Sequence, residues 1–401
     1  MTLGNRDDKD MSRRIPDNMW GIMVRSLIQI VRRPIMWCGI FLLPLFMFLF
    51  FTSMLDAGLP TRIPAAIVDK DGTPISRQIT QTLNTMQMVD LQESLNSYTE
   101  ARHRVQEGKI YGFFMIPENF EADLLAGRKP AITFYTNMVY YVPANLLYKY
   151  FKTTAVFTKV GVAMEVVQDV GANPSQLTGM LQPINIQTRC IGNPQLNYGI
   201  YLCNSFLPAV LQLMIMLITV FSLGQEIKYH TSVHLMRMAH GSIYRAIFGK
   251  LLPQTVIWWV IALFMTSWLY GFNHFPMRGS WFWLILSELL FVLASQGFAL
   301  TVFSLLPNLR LSLSVCALLG ILTFSIAAYS FPEQSMYGSM AIFTFLMPAR
   351  YNFLIYGNIA LNGLPVYYSR IWFAAYIVYI LLPLPMLYRV RRAMLKPVYA
   401  P

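Results

Sequence analysis

Residues 35–55 read IMWCGIFLLPLFMFLFFTSML, with no charged side chain anywhere in the run. A helix of that length, rising about 1.5 Å per residue, reaches across the roughly 30 Å hydrocarbon core of a bilayer. The stretch is therefore read as a membrane-spanning helix. Working outward, five more apolar stretches follow at Tyr198–Leu223, Leu251–Phe272, Trp281–Leu306, Leu311–Phe331 and Val366–Tyr388, each bounded by polar, Pro or Gly residues. One span, a largely polar interval over residues 56–197, then five spans: this layout gives an α-helical membrane protein of six transmembrane helices with an inserted α/β extracytoplasmic domain. An even number of crossings puts both termini on one side.

Charge assigns the sides. Only 12% of the 401 residues are charged, against roughly 25% in a soluble domain. The net charge of +12 raises the question of nucleic acid. Residues 56–197, however, carry 12 basic and 12 acidic side chains, and the excess belongs wholly to the membrane part. Sixteen Lys and Arg residues fall on one side, in the N-terminal segment, after spans 2 and 4 and in the C-terminal tail, while the opposite short loops hold Arg278, Arg350 and Arg370. By the positive-inside rule both termini are cytoplasmic and residues 56–197 lie outside. No nucleic acid is expected as a partner. No cleavable signal is evident, because the first apolar run is too long and lacks a small-residue cleavage site, so span 1 is expected to serve as an uncleaved anchor.

Before span 1, in residues 1–34, Asp17 and Asn18 can cap a helix that places Trp20, Met23, Val24, Leu27, Ile30 and Val31 on one face. It is read as an interfacial helix with Arg25, Arg32 and Arg33 toward headgroups, or else as a plain extension of span 1. Within 56–197, β-rich runs at Pro64–Val68, Met88–Leu91, Tyr111–Ile116 and Ile132–Tyr135 alternate with helical patterns at Ile75–Met86, Ser97–Glu107 and Asn119–Ala126. A longer helix is expected from Val142 to about Val170, followed by a loop through 197. Asp69, Asp71, Glu118 and Glu121 read as turn and helix-cap residues. The aromatic group Phe134, Tyr135, Tyr140, Tyr141, Tyr148 and Tyr150 either packs internally or meets a partner. Cys190 and Cys203 flank the start of span 2 and either pair or stay free.

The segment 224–250, on the cytoplasmic side between spans 2 and 3, carries Gly224, Glu226, Lys228, Thr231 and Leu235, then Gly249-Lys250-Leu251 with Pro253 opening span 3. In that order these residues resemble the permeases of type-2 ATP-binding cassette (ABC) exporters. The runs Ala65-Ala66-Ile67-Val68-Asp69 and Ile116-Pro117-Glu118-Asn119-Phe120 resemble the extracytoplasmic domain of the bacterial multidrug-efflux-like branch. Met347-Pro348-Ala349-Arg350-Tyr351 and Ala360-Leu361-Asn362-Gly363 resemble the stretch before its last span. His230 stands where Gly is usual in that family, and Ala239 where Pro is usual.

The resemblance implies a subunit of the bacterial inner membrane that pairs with a second permease copy, identical or paralogous, and with ABC ATPase subunits. It implies that Glu226, Lys228, Thr231, Leu235 and Arg237 couple to the ATPase, the alternative being a solvated loop. A periplasmic adaptor and an outer-membrane channel are further partners suggested by the size of the external domain, beside membrane lipids. Cargo would be hydrophobic or amphiphilic, drug-like or lipid.

Gln212, Glu288, Gln296 and Arg350 are the candidates for a pathway. A carboxylate within a span is costly and faces protein or water, so Glu288 either lines the route, reaches the outer interface, or pairs with Arg350 or Arg370. Gln212 and Gln296 either line the route or bridge helices. Residues 332–365 read as short re-entrant or interfacial helices, or as an amphipathic loop. No Gly-x-x-x-x-Gly-Lys-Ser/Thr loop occurs, so ATP and magnesium belong to a partner chain and this one is expected to bind no cofactor. His230, His234 and His240 lack the companions of a metal site. No catalytic residue is assigned, and the chain reads as a transport subunit rather than an enzyme. The rival readings are a membrane scaffold or sensor whose external domain binds a ligand, and a lipid-modifying enzyme.

Overall fold

The computed structural model describes residues 16–56, 58, 62–86, 88–126, 128, 130–140, 142–153, 193, 197–329 and 333–397. The chain divides into two compact units, 57–189 and the remainder.

Among the described residues the larger unit contains six helices long and apolar enough to cross a membrane: Pro34–Met54, Tyr198–Lys228, Ile243–Phe272, Trp281–Leu305, Leu309–Ile326 and Val366–Leu395, called spans 1 to 6. Spans 2 and 4 form its centre, with 67% and 72% of their most apolar windows buried, against 22% to 28% for spans 1, 5 and 6. Small residues let the helices close. A Cβ on Gly224 of span 2 would lie 2.6 Å from Leu309 of span 5, and one on Gly297 of span 4 would lie 2.3 Å from the Tyr379 carbonyl of span 6.

Several boundaries differ from those read in the sequence. Span 2 stays helical to Lys228 and span 3 is already helical from Ile243. The 224–250 segment thus shrinks to a link of 14 residues around the short helix Ser232–Met238. The charges that lower hydropathy at these ends do not end the helices, because their side chains find partners (below). Span 5 ends at Ile326, not Phe331, which lies outside the described residues. Span 6 runs on past Tyr388 to Leu395, with a 3₁₀ turn at Leu384–Met386 where Pro383 and Pro385 interrupt the helical ladder. Between spans 5 and 6 lie two short helices, Gly338–Thr344 and Pro348–Tyr356, the second largely buried and packed against spans 2, 4 and 6.

The N-terminal helix Met19–Arg32 is capped by Asn18, whose Oδ1 accepts from the Gly21 amide at 2.8 Å. Its orientation corrects the expectation. The polar side chains Arg25, Ser26 and Gln29 are buried together with Ile22 and Ile30, while Trp20, Leu27 and Val31 are exposed. Arg25 therefore does not face headgroups.

The smaller unit carries one four-stranded sheet in the order β2-β1-β3-β4, built from β1 (Ile63–Asp69), β2 (Val89–Ser94), β3 (Gly112–Ile116) and β4 (Thr133–Thr136). β1 runs parallel to both neighbours, and β4 is antiparallel to β3. Helices Pro74–Asn84, Tyr98–Gln106 and Phe120–Leu125 connect the strands, as the alternating pattern predicted. Alternate residues of β1 enter opposite cores: Ile63, Ala65 and Ile67 join Ile79, Leu83 and Phe114, while Ala66 and Val68 join Leu95, Ala101 and Phe113.

The acidic residues of this unit do local work. Asp69 Oδ1 accepts from the amides of Asp71 and Gly72, and Asp71 accepts from those of Phe120 and Glu121 at 2.9 and 3.1 Å. Phe134 and Tyr135 stack on Phe114 and Phe113, which makes them packing residues; Tyr140 meets Tyr111 edge to face and is exposed on its other side, as Tyr148 is. Residues 142–153 are helical; the remainder of the stretch expected to be helical, to about Val170, and Tyr141 and Cys190 lie outside the described residues. Cys203 is a buried free thiol.

Candidate coupling site

Arg25, Glu226 and Lys250 come from three helices and meet in the interior. Glu226, in the last turn of span 2, is 2% exposed; Arg25 Nη2 donates to its Oε2 at 2.9 Å and Lys250 Nζ to its Oε1 at 2.7 Å. Gln29 donates to Glu226 Oε1 at 3.2 Å and accepts from Lys250 Nζ at 2.9 Å. Ser26 Oγ donates to the Lys250 carbonyl at 2.7 Å. One carboxylate with two cations and a bridging amide thus ties the N-terminal helix to the ends of spans 2 and 3. Burying such charges is costly unless they are paired, so the three helices are held as one block.

The block connects directly to the link between the spans. Thr231 Oγ1 donates to Glu226 Oε2 at 2.5 Å. Helix Ser232–Met238 follows, and its inward residues Leu235, Met236 and Met238 are buried among Ile22, Val390 and Met394. Ser232 Oγ donates to the Met394 carbonyl at 2.8 Å, fastening the link to helix Leu387–Leu395. His234 is half-buried, and burial, aided by the Arg25 charge, holds it below the ordinary histidine range. Val233 and Arg237 face outward, as do Tyr229, His230 and His240. Lys228 lies 5.7 Å from the Tyr229 ring centre.

Two residues of the predicted coupling set therefore change place: Glu226 and Leu235 are interior and offer no surface to a partner. The backbone explains one departure from the family pattern. His230 follows the end of span 2 with φ +56, and Gly241 closes the link with φ +72; at the first position glycine would fit without a Cβ penalty. Among the described residues no group of three His, Cys, Asp or Glu could hold a metal ion.

Three of the four pathway candidates meet at helix Pro348–Tyr356, and Gln296 lies apart from them. Gln212 Oε1 accepts from the Ala349 amide at 2.6 Å and its Nε2 donates to Thr323 at 3.0 Å, which bridges span 2, span 5 and helix Pro348–Tyr356. Arg350 binds Glu333 and lies over the Phe345 ring at 5.0 Å, so it does not pair with Glu288. Arg370 sits over Tyr367 at 4.1 Å. Glu288 is 3% exposed and accepts from Asn352 Nδ2 at 3.1 Å, beside Tyr356, which shares a 2.6 Å hydrogen bond with Thr266. It does not reach an interface. It lines a cavity of about 20 Å³, room for one water, with Asn204 and Cys203. Gln296 Oε1 accepts from Thr255 at 2.7 Å, between spans 4 and 3.

Arg25, Gln29 and Lys250 were absent from the predicted site. The stripe Arg25, Ser26, Gln29, one helical turn long within an apolar helix, was the available signal. A protein-family profile described as ABC-2 family transporter protein matches residues 34–385. A comparison with curated protein sequences finds no match.

Proposed function

Because the chain belongs to the ABC-2 family of transporter proteins, and so is a multi-pass membrane subunit that works with ABC ATPases, we propose that it is the permease of an ATP-driven exporter. It moves a hydrophobic or amphiphilic cargo, drug-like or lipid, out of the cytoplasm or inner membrane. ATP and magnesium are bound by the partner chains. Two permease copies, identical or paralogous, form the path, and both termini are cytoplasmic with residues 56–197 outside. A domain of that size between spans 1 and 2 suits a periplasmic adaptor leading to an outer-membrane channel.

The observation that supports this reading is the two-sided link after span 2. Its outer side, Val233 and Arg237, is free for a partner's groove, a common way of receiving a short helix. Its inner side is bonded through Thr231 to the Arg25–Glu226–Lys250 block and through Ser232 to the C-terminal helix. A push on the outer side would therefore move the N-terminal helix, spans 2 and 3 and the end of span 6 together, as a rigid-body step of a two-state cycle. Glu288 and Gln212, each held by helix Pro348–Tyr356, would transmit that step toward the other end of the bundle.

The test is co-reconstitution in liposomes with a partner ABC ATPase. Arg237→Glu should lower cargo-stimulated ATP turnover about tenfold, some 1.4 kcal/mol of lost coupling, while the variant elutes as the native protein does. Turnover indifferent to Arg237→Glu and to any amphiphile would point instead to a scaffold or sensor.

A further inference from the structure

Spans 3, 4 and 6 enclose a groove of about 420 Å³, within the range of small-molecule sites, that the coupling block does not use. Leu251, Leu252, Leu293, Leu300, Ile380 and Leu384 give it apolar walls. Two polar features break this lining. Gln296 is 3% exposed, and Thr255 holds one end of its amide while Nε2 has no partner. Whichever way the amide is turned, one end stays unbonded in a buried place, which is costly unless something else occupies the groove. At the rim, Arg245 is exposed and has no ion-pair partner among the described residues.

The depths of these two groups identify the occupant. The charge-free stretch of span 3 begins at Leu251, directly after Lys250, so the hydrocarbon boundary falls near that residue. Arg245 lies six residues before it, about 9 Å out, and Thr255 four residues after it, about 6 Å in. The Arg245 side chain can reach back toward the boundary. The pair therefore brackets the layer in which a glycerophospholipid carries its phosphate and ester carbonyls. A soluble anion would leave the leucines uncovered, and a plain hydrocarbon would leave both Arg245 and Gln296 unmatched. Exposed Arg389, Arg391 and Arg392 follow Leu387, itself a groove residue, and favour an anionic headgroup over a zwitterionic one.

We propose that this groove is a binding site for an anionic phospholipid, with its phosphate at Arg245, an ester carbonyl accepting from Gln296, and an acyl chain against Leu293 and Ile380. The site stands independently of the export reading, since it requires only that the helices cross a bilayer.

The full chain in nanodiscs, doped with phosphatidylglycerol or phosphatidylcholine bearing a photoactivatable group on one acyl chain, tests it by peptide mapping of the adducts. Phosphatidylglycerol should label residues 251–255, 293–300 and 380–384 about fivefold more than phosphatidylcholine does, and Arg245→Gln should remove that preference. Leu252→Trp, which fills the groove, should abolish labelling there, while Leu318→Trp on the exposed face of span 5 should leave it unchanged. Equal labelling by the two lipids, labelling unaffected by Arg245→Gln, or adducts spread evenly over spans 1 and 5 would overturn the proposal. Arg245 is at the surface, so the charge test holds even if Leu252→Trp fails to fold.

Discussion

At the scale of single residues, Glu226 holds four side chains at once, those of Arg25, Gln29, Thr231 and Lys250. Removing its charge strands two buried cations, and breaking a buried pair of this kind costs about 3–5 kcal/mol. Glu226→Gln should therefore lower the unfolding temperature in detergent sharply, whereas Glu118→Gln, whose partner Lys70 is 3.9 Å away at the surface, should leave it unchanged. Leu235→Asp belongs with the first group, since Leu235 is 1% exposed and an aspartate there would be buried without a partner. That variant would report on folding, and Arg237→Glu on the proposed coupling. His230 offers the opposite outcome. Its left-handed backbone favours glycine, so His230→Gly should raise stability by roughly 1 kcal/mol, read as a higher unfolding temperature.

Pairs of helices set the next scale. Spans 4 and 6 approach at Gly297, where an added methyl group would meet the Tyr379 backbone carbonyl at 2.3 Å. Backbone cannot swing aside as a side chain can, so Gly297→Ala should cost about 1–3 kcal/mol and widen the neighbouring groove. At Gly320 the same change meets the Leu213 side chain, which can rotate, and the cost should be smaller. The two variants, compared by thermal unfolding, separate backbone contact from side-chain contact. The reversed N-terminal helix follows the same physics. An apolar face turned to lipid costs nothing, while the polar stripe gains four hydrogen bonds by turning inward. Amphipathicity was visible in the sequence; which face met protein was not, because lipid and protein interior are alike apolar.

For the whole molecule, residues 57–189 form a unit with cores on both faces of its sheet. Expressed alone it should be soluble and give a cooperative thermal transition with mixed α/β circular dichroism; an unfolded spectrum would show that it needs the helices to fold. Its strands and helices were legible because alternation of period two and the cap residues Thr73 and Ser97 act over a few positions. The six spans were legible for an equally local reason, since about twenty apolar residues in a row have few other places to go. Partnership is different in kind. Arg25 and Glu226 stand 201 positions apart, and Glu288 and Asn352 stand 64 apart, so no local pattern announces either contact. The sequence by itself determined the number of spans, the inserted sheet and the family. Only the tertiary structure decided that Glu226 and Leu235 face inward, that Gln212 and Glu288 brace a buried helix, and that Gln296 keeps a free amide end, because burial of a polar group depends on which distant chain segment supplies its hydrogen bond.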